Sequence, residues 1–234
     1  MPSAVEPLPV VVLVHGGFWS DRFGRQLMDP LALDLASSGY AVWNIEYRRV
    51  GMDGGGWPTT FDDVAVAVDH LAVLAESTAL DLERVAFVGH SAGGHLALWA
   101  AGREAIPSGE TWSDPVVVPA LAVGQAPVVD LATASIERAG GGAVDALLGG
   151  APADVPERYA AATPDPGVSG EILIVLAAED SIVLPRWTGG APEFEAAQVV
   201  VPDADHFSVI DPSHPSWAVV TDAIGRVLGP PAAG

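Results

Sequence analysis

Gly89-His90-Ser91-Ala92-Gly93 sets a serine between two glycines in a G-x-S-x-G pattern. Alone the pattern is weak, because the chain holds 26 glycines in 234 residues. Its setting gives it weight. The apolar run Val85–Val88 precedes it, and the helix-forming segment Leu96–Ala101 follows. That strand–turn–helix order is what a nucleophile elbow requires. The turn is tight enough that a Cβ at either glycine would collide with backbone. Ser91 would stand at a helix N-terminus, where the dipole favours developing negative charge. The plain alternative is a glycine-rich βα turn with no chemistry.

A serine hydroxyl needs a base to act as a nucleophile. The histidines are His15, His70, His90, His95, His206 and His214. His206, in Asp203-Ala204-Asp205-His206-Phe207, follows the last strand and can reach the elbow from its loop. His70 lies mid-helix and reads as a surface residue. His95 falls in the helix after Ser91 and reads as a packing or hydrogen-bonding group. His214 sits where the final helix begins, which suits a cap. The base needs an orienting carboxylate. Asp180 follows the strand Ile172–Ala177, with Glu179 as its rival. The order Ser91, Asp180, His206 is the one this chemistry shows on an α/β scaffold. His15-Gly16-Gly17-Phe18-Trp19 follows the first strand, and its glycines let N–H groups face a pocket. With the N–H of Ala92 they would hold an oxyanion.

These residues need a frame. Pro9–Val14 is a continuous β-branched run, as in a strand buried on both faces. Asp21–Ser38 has Leu27, Leu31 and Leu35 at helical spacing, with Pro30 dividing it. Tyr40–Glu46 reads as a strand, Tyr47–Thr60 as a Gly-rich loop, and Phe61–Glu76 as an amphipathic helix. Arg84–Val88 is a strand, Ala92–Ala101 a helix and Val116–Gly124 a strand. Leu131–Ala162 reads as short helices broken by Gly and Pro. Glu171–Ala177 is a strand. Pro185–Glu195 is irregular, with at most a short helix near its end. Gln198–Val201 is the last strand and Pro215–Leu228 the last helix. Strands alternating with helices predict a parallel sheet covered on both faces, in one α/β domain spanning 1–234.

The ten basic residues are all Arg against 30 acidic ones, a net charge of −20. Nucleic acid and anionic membranes are repelled by such a field, so neither is expected as a partner. Cysteine is absent, which excludes disulfides, thiolate catalysis and Cys-ligated metals. No HExxH or clustered His/Asp set suggests a metal, and no cofactor is called for. There is no long apolar run and no secretory leader, so a cytoplasmic location is expected.

His15-Gly-Gly-Phe-Trp, Gly89-His-Ser-Ala-Gly-Gly-His-Leu-Ala and Asp205-His-Phe resemble the α/β-hydrolase superfamily. They are most similar to its small esterases and kynurenine formamidases (arylformamidases), which relate to the hormone-sensitive-lipase-like carboxylesterases. The likeness runs from Val10 to Leu228. It implies that Gly17, Phe18 and Ala92 present the oxyanion N–H groups and that His15 is structural. Asp180-Ser-Ile-Val183 matches the acid-loop pattern D-x-x-V, which supports Asp180 over Glu179.

Two departures stand out. The superfamily has two strands before the His-Gly-Gly strand, and only eight residues precede it here. About six mostly parallel strands are therefore expected, with Tyr40–Glu46 at an exposed edge. Such an edge is a pairing liability. It is expected to be covered by a second copy of the chain or by the N-terminal arm. The stretch Pro185–Glu195 also lacks the usual amphipathic helix. There is no room for a large cap, and Leu131–Ala162 would serve instead, with Trp19, Trp57 and Trp187 lining a substrate pocket. Small-ester hydrolysis through an acyl-enzyme is the leading expectation. Hydrolysis of an aryl formamide such as N-formylkynurenine is the alternative, and a non-catalytic binding protein on the same scaffold is the third reading.

Overall fold

The computed structural model describes residues 6–165, 167–188 and 196–230. Its elements run β1 (Leu8–Val14), α1 (Asp29–Ser37), β2 (Ala41–Ile45), α2 (Thr59–Ala75), β3 (Leu80–His90), α3 (Ala92–Ala101) and β4 (Leu121–Gln125). Then follow α4 (Leu131–Ile136), α5 (Ala143–Leu148), α6 (Pro156–Ala162), β5 (Glu171–Ala177), α7 (Pro185–Thr188), β6 (Ala197–Val201) and α8 (Pro215–Leu228). All six strands pair in parallel in the order β2-β1-β3-β4-β5-β6. With helices on both faces, this is the α/β-hydrolase architecture.

Strand alternation divides the core into two layers. Val10, Val12 and Val14 of β1, with Phe87 of β3 and Ile174 of β5, face α2 and α3. Val11 and Leu13, with Val88, Val123 and Val175, face α1 and α8. Burying each such side chain contributes about 1.5–3 kcal/mol. The Trp217 indole N–H donates to Asp34 Oδ2 at 2.7 Å and ties α8 to α1. Every residue of α3 is buried, so the helix that begins at Ser91 is locked into the molecule along its length.

Several boundaries differ from the sequence expectation. Asp21–Ser38 is divided at Pro30, as expected: Pro30 opens α1 after a separate 3₁₀ turn at Arg25–Met28. β3 is longer than expected and begins at Leu80. Val116–Pro119 stays outside the ladder, and β4 starts only at Leu121. Pro119 has no N–H to give a neighbouring strand. In Pro185–Glu195 a short helix, α7, lies at the start, and the expected helix near the end falls outside the described residues. Residues 189–195 fall outside the described residues. β2 is an edge, as expected, and β6 is the other. The N-terminal arm lies largely outside the described residues. No helix among the described residues is long and apolar enough to cross a membrane.

Candidate active site

The elbow between β3 and α3 holds Ser91 at φ 54° and ψ −121°, outside the regions a serine ordinarily occupies. That strain is held from both sides. The Ser91 N–H donates to Gln125 O at 2.8 Å, and the Ser91 carbonyl accepts from His95 N at 3.1 Å. Ser91 occupies the N-cap of α3, yet its hydroxyl makes no capping hydrogen bond. The glycines answer to close backbone. A Cβ on Gly89 would lie 2.1 Å from Gly93 O, and one on Gly93 would lie 2.2 Å from Val14 O. The elbow is thus pressed directly against the end of β1.

The turn after β1 is held by a polar cluster in which His15, Tyr47 and Arg49 are buried and Glu46 is exposed. His15 Nε2 lies 2.7 Å from Glu46 Oε1, and its ring stacks on Tyr47 at 4.4 Å. The Tyr47 hydroxyl donates to His15 O at 2.7 Å, and Arg49 pairs with Glu46. Beyond His15 the chain enters the left-handed region at Gly17 (φ 116°), Phe18 (φ 51°) and Trp19 (φ 53°). Two bulky residues in that region are costly. Gly17 and Phe18 line the same cleft as Ser91. The N–H groups of Gly17, Phe18 and Ala92 donate no hydrogen bond among the described residues.

Asp180 and His206 come together at the sheet's C-terminal edge. His206 Nδ1 lies 2.7 Å from Asp180 Oδ2, and both side chains are buried. Asp180 Oδ1 accepts from the N–H groups of Ile182 and Val183, each at 2.8 Å. Burial acts to raise the Asp180 pKa, but the hydrogen bond from His206 and those from Val183 and Ile182 outweigh it, so the carboxyl lies below its ordinary value. Glu179 is exposed, and its side chain makes no hydrogen bond among the described residues. The loop carrying His206 is braced by Asp205, which accepts from Phe207 N at 2.9 Å and Ser208 N at 2.7 Å.

His90 had no role in the sequence reading. Its Nε2–H donates to the His206 carbonyl at 2.8 Å, and the two rings lie 4.6 Å apart. Burial, reinforced by the neighbouring His206, pushes the His90 pKa down to about 3. The ring is therefore neutral, and its buried Nδ1 has no partner. The residue next to the nucleophile holds the backbone of the residue that would be its base. Its place as the first variable position of G-x-S-x-G was the available signal.

The other histidines sit as expected. His70 is exposed, His95 is buried with Nε2 2.8 Å from Ala162 O, and the His214 side chain caps α8 by accepting from Ser216 N.

The three tryptophans do not line the cleft beside Ser91, and this corrects the expectation. Trp19 is wholly buried, with its N–H donating to His95 Nδ1 at 3.3 Å. Trp187 packs inside α7, with its N–H donating to Glu137 Oε2 at 2.6 Å. Trp57 packs edge-on against Phe61 and Trp112, beside a different cavity. In their place Phe18, Phe23, Leu27, Ile182 and Phe207 enclose about 150 Å³ over Ser91 and His206. A second lobe of about 240 Å³ shares Gly17, Phe18 and Phe23 and runs to Gly140–Gly142. Sequence reasoning missed Phe23 and Leu27, which arrive from a loop with no motif of its own.

Comparison with known proteins agrees with this fold. A truncated carbohydrate esterase from gut microbiota superposes with a TM-score of 0.78 at 18% identity, covering 97% of this chain and 88% of that one. Esterase B from Lactobacillus rhamnosis gives 0.76 at 20% identity, covering 97% and 76%. A bifunctional GH43-CE protein of Bacteroides eggerthii gives 0.75 at 22% identity and 97% coverage, and this chain spans only 33% of that protein's length. No curated protein matches. The BD-FAE family model matches residues 1–187, most of the chain. The chain belongs to the BD-FAE family.

Proposed function

We propose that this protein hydrolyses small carboxylic esters through an acyl-enzyme on Ser91. The observation that carries the reading is the 2.7 Å contact between His206 Nδ1 and Asp180 Oδ2 in the cleft that also holds Ser91. Asp180 accepts a hydrogen bond from the Nδ1–H of the imidazole. Nε2 is then the basic nitrogen. Ser91 Oγ attacks the ester carbonyl as His206 removes its proton. The tetrahedral oxyanion is met by the N–H groups of Gly17, Phe18 and Ala92. His206 then protonates the leaving alcohol, and water repeats the cycle on the acyl-serine.

The lobe of about 150 Å³ favours a short acyl group, because its walls are apolar and close. The lobe of about 240 Å³ takes the leaving group. A fluorophosphonate probe tests the nucleophile: it labels the native protein, and Ser91→Ala abolishes labelling. Failure to label the folded protein removes the reading and leaves a binding protein on a hydrolase scaffold. Turnover of p-nitrophenyl acetate and of N-formylkynurenine by one preparation separates ester from aryl formamide. Hydrolysis of the formamide alone moves the assignment to amide cleavage.

A further inference from the structure

The largest cavity described, about 620 Å³, shares no lining residue with the Ser91 cleft. It opens beside Trp99, eight residues along α3 from Ser91, or roughly 12 Å at the helical rise. Trp57, Trp99 and Trp112 wall it. Trp112 meets Trp57 at 5.1 Å and 84°, and Trp99 at 5.3 Å and 83°. The rings therefore form corners rather than one flat platform.

Trp112 is held there against its own backbone preference. It sits at φ 67°, where a bulky residue is strained. Three contacts impose the conformation. Its N–H donates to Asp62 Oδ1 at 2.7 Å. Its carbonyl accepts from Arg103 Nε at 2.9 Å, and Arg103 is itself fixed to Asp69 at 2.8 Å. Local strain held by a surrounding network is the pattern of a built site.

The polar side chains at the cavity supply one sign of charge. Glu110 and Asp165 line it, and no basic side chain does. Neither carboxylate forms an ion pair among the described residues, although six arginines elsewhere are paired with acids. Indole is the strongest aromatic partner for a cation, and an acidic surface raises the local concentration of cations. A sugar would want a flat stacking face and donors as well as acceptors.

We propose that this cavity binds a small organic cation of the quaternary-ammonium class, at a site separate from the Ser91 cleft. Choline is the probe, and 3,3-dimethyl-1-butanol is its neutral isostere. The full chain is titrated with each while indole fluorescence and heat are followed. Choline is expected to bind saturably and to shift the fluorescence, with the isostere at least ~10-fold weaker. Glu110 is exposed, so Glu110→Gln keeps the fold and weakens choline about threefold or more. Trp57→Leu weakens it further. Equal affinity for the isostere overturns the proposal, as does unchanged choline affinity in Glu110→Gln. Binding of methyl glucoside without choline assigns the cavity to a neutral sugar and overturns it too. None of these outcomes depends on esterase activity.

Discussion

At the scale of single residues, the cleft's side chains are fixed through named atoms. Asp180 gives Oδ1 to two backbone N–H groups and Oδ2 to His206. Asp180→Asn preserves the shape but not the tautomer preference, and kcat is expected to fall by roughly 10⁴. A fall below tenfold in steady-state assays would argue that another carboxylate orients the base. His90 is a positioning residue. His90→Phe keeps the ring volume and removes the donor to His206 O, whereas His90→Gln keeps a donor. Loss of about tenfold in kcat at unchanged KM is expected for Phe, with substantial recovery for Gln. Equal kcat in both variants would reduce His90 to packing. Ser91, Asp180 and His206 could be singled out from the sequence because their residue types and chain order carry chemistry. The tryptophans could not, because a Trp announces the need for burial without saying where. Trp19 and Trp187 found that burial inside the molecule, with N–H partners in His95 and Glu137.

At the scale of elements, the site depends on close approach between β1, β3 and α3. Gly93→Ala would drive a methyl group into Val14 O and His15 O, both already within 2.3 Å of the ideal Cβ position. The variant is expected to lose folded protein outright, read as loss of the cooperative melt. A normal melt would mean that β1 can slide, and the rigid-elbow argument would fail. Asp205→Ala removes the brace from the His206 loop and is expected to cost about tenfold in kcat, read against an unchanged circular dichroism spectrum. The strands were legible wherever apolar runs were continuous, as at Val10–Val14 and Glu171–Ala177. They were misjudged where proline intervened, as at Pro119 before β4. The cleft role of Phe23 and Leu27 was invisible, because it arises from tertiary placement, although the helical spacing of Leu27 marked it as buried.

At the scale of the molecule, two buried histidines predict acid sensitivity. Burial lowers the His90 pKa to about 3 and that of His95 to about 4. In the unfolded chain each returns to about 6.5. Between those values the unfolded state binds more protons, so stability rises with pH. The contribution is complete above about pH 6.5 and is lost progressively below it. Each histidine accounts for about 2 kcal/mol between pH 7 and 5, a window above the range in which surplus carboxylates discharge. Thermal melts are expected to drop by several degrees across that window, and by less in His95→Gln. A flat profile would show that another group compensates. The parallel sheet also ends in β2 and β6. The expected covering of β2 is tested by solution scattering with amide exchange. A monomer whose β2 amides exchange freely would end that expectation.

The two turns that would supply nucleophile and oxyanion donors touch through main chain. A Cβ on Gly16 would meet His90 O at 2.8 Å, just as one on Gly93 would meet the end of β1. The walls over Ser91 come in part from the loops that carry the reacting groups, through Phe18, Ile182 and Phe207, and in part from Phe23 and Leu27 before α1. Phe23 and Leu27 alone among these walls lie on a segment that carries none of the reacting groups. A library confined to positions 23 and 27 can reshape which acyl groups enter while the reacting geometry stays in register. Phe23 is already half in solvent, at 45% exposure, so it can change with little penalty to folding. The segment before α1 can therefore drift in sequence while the two turns stay pressed together.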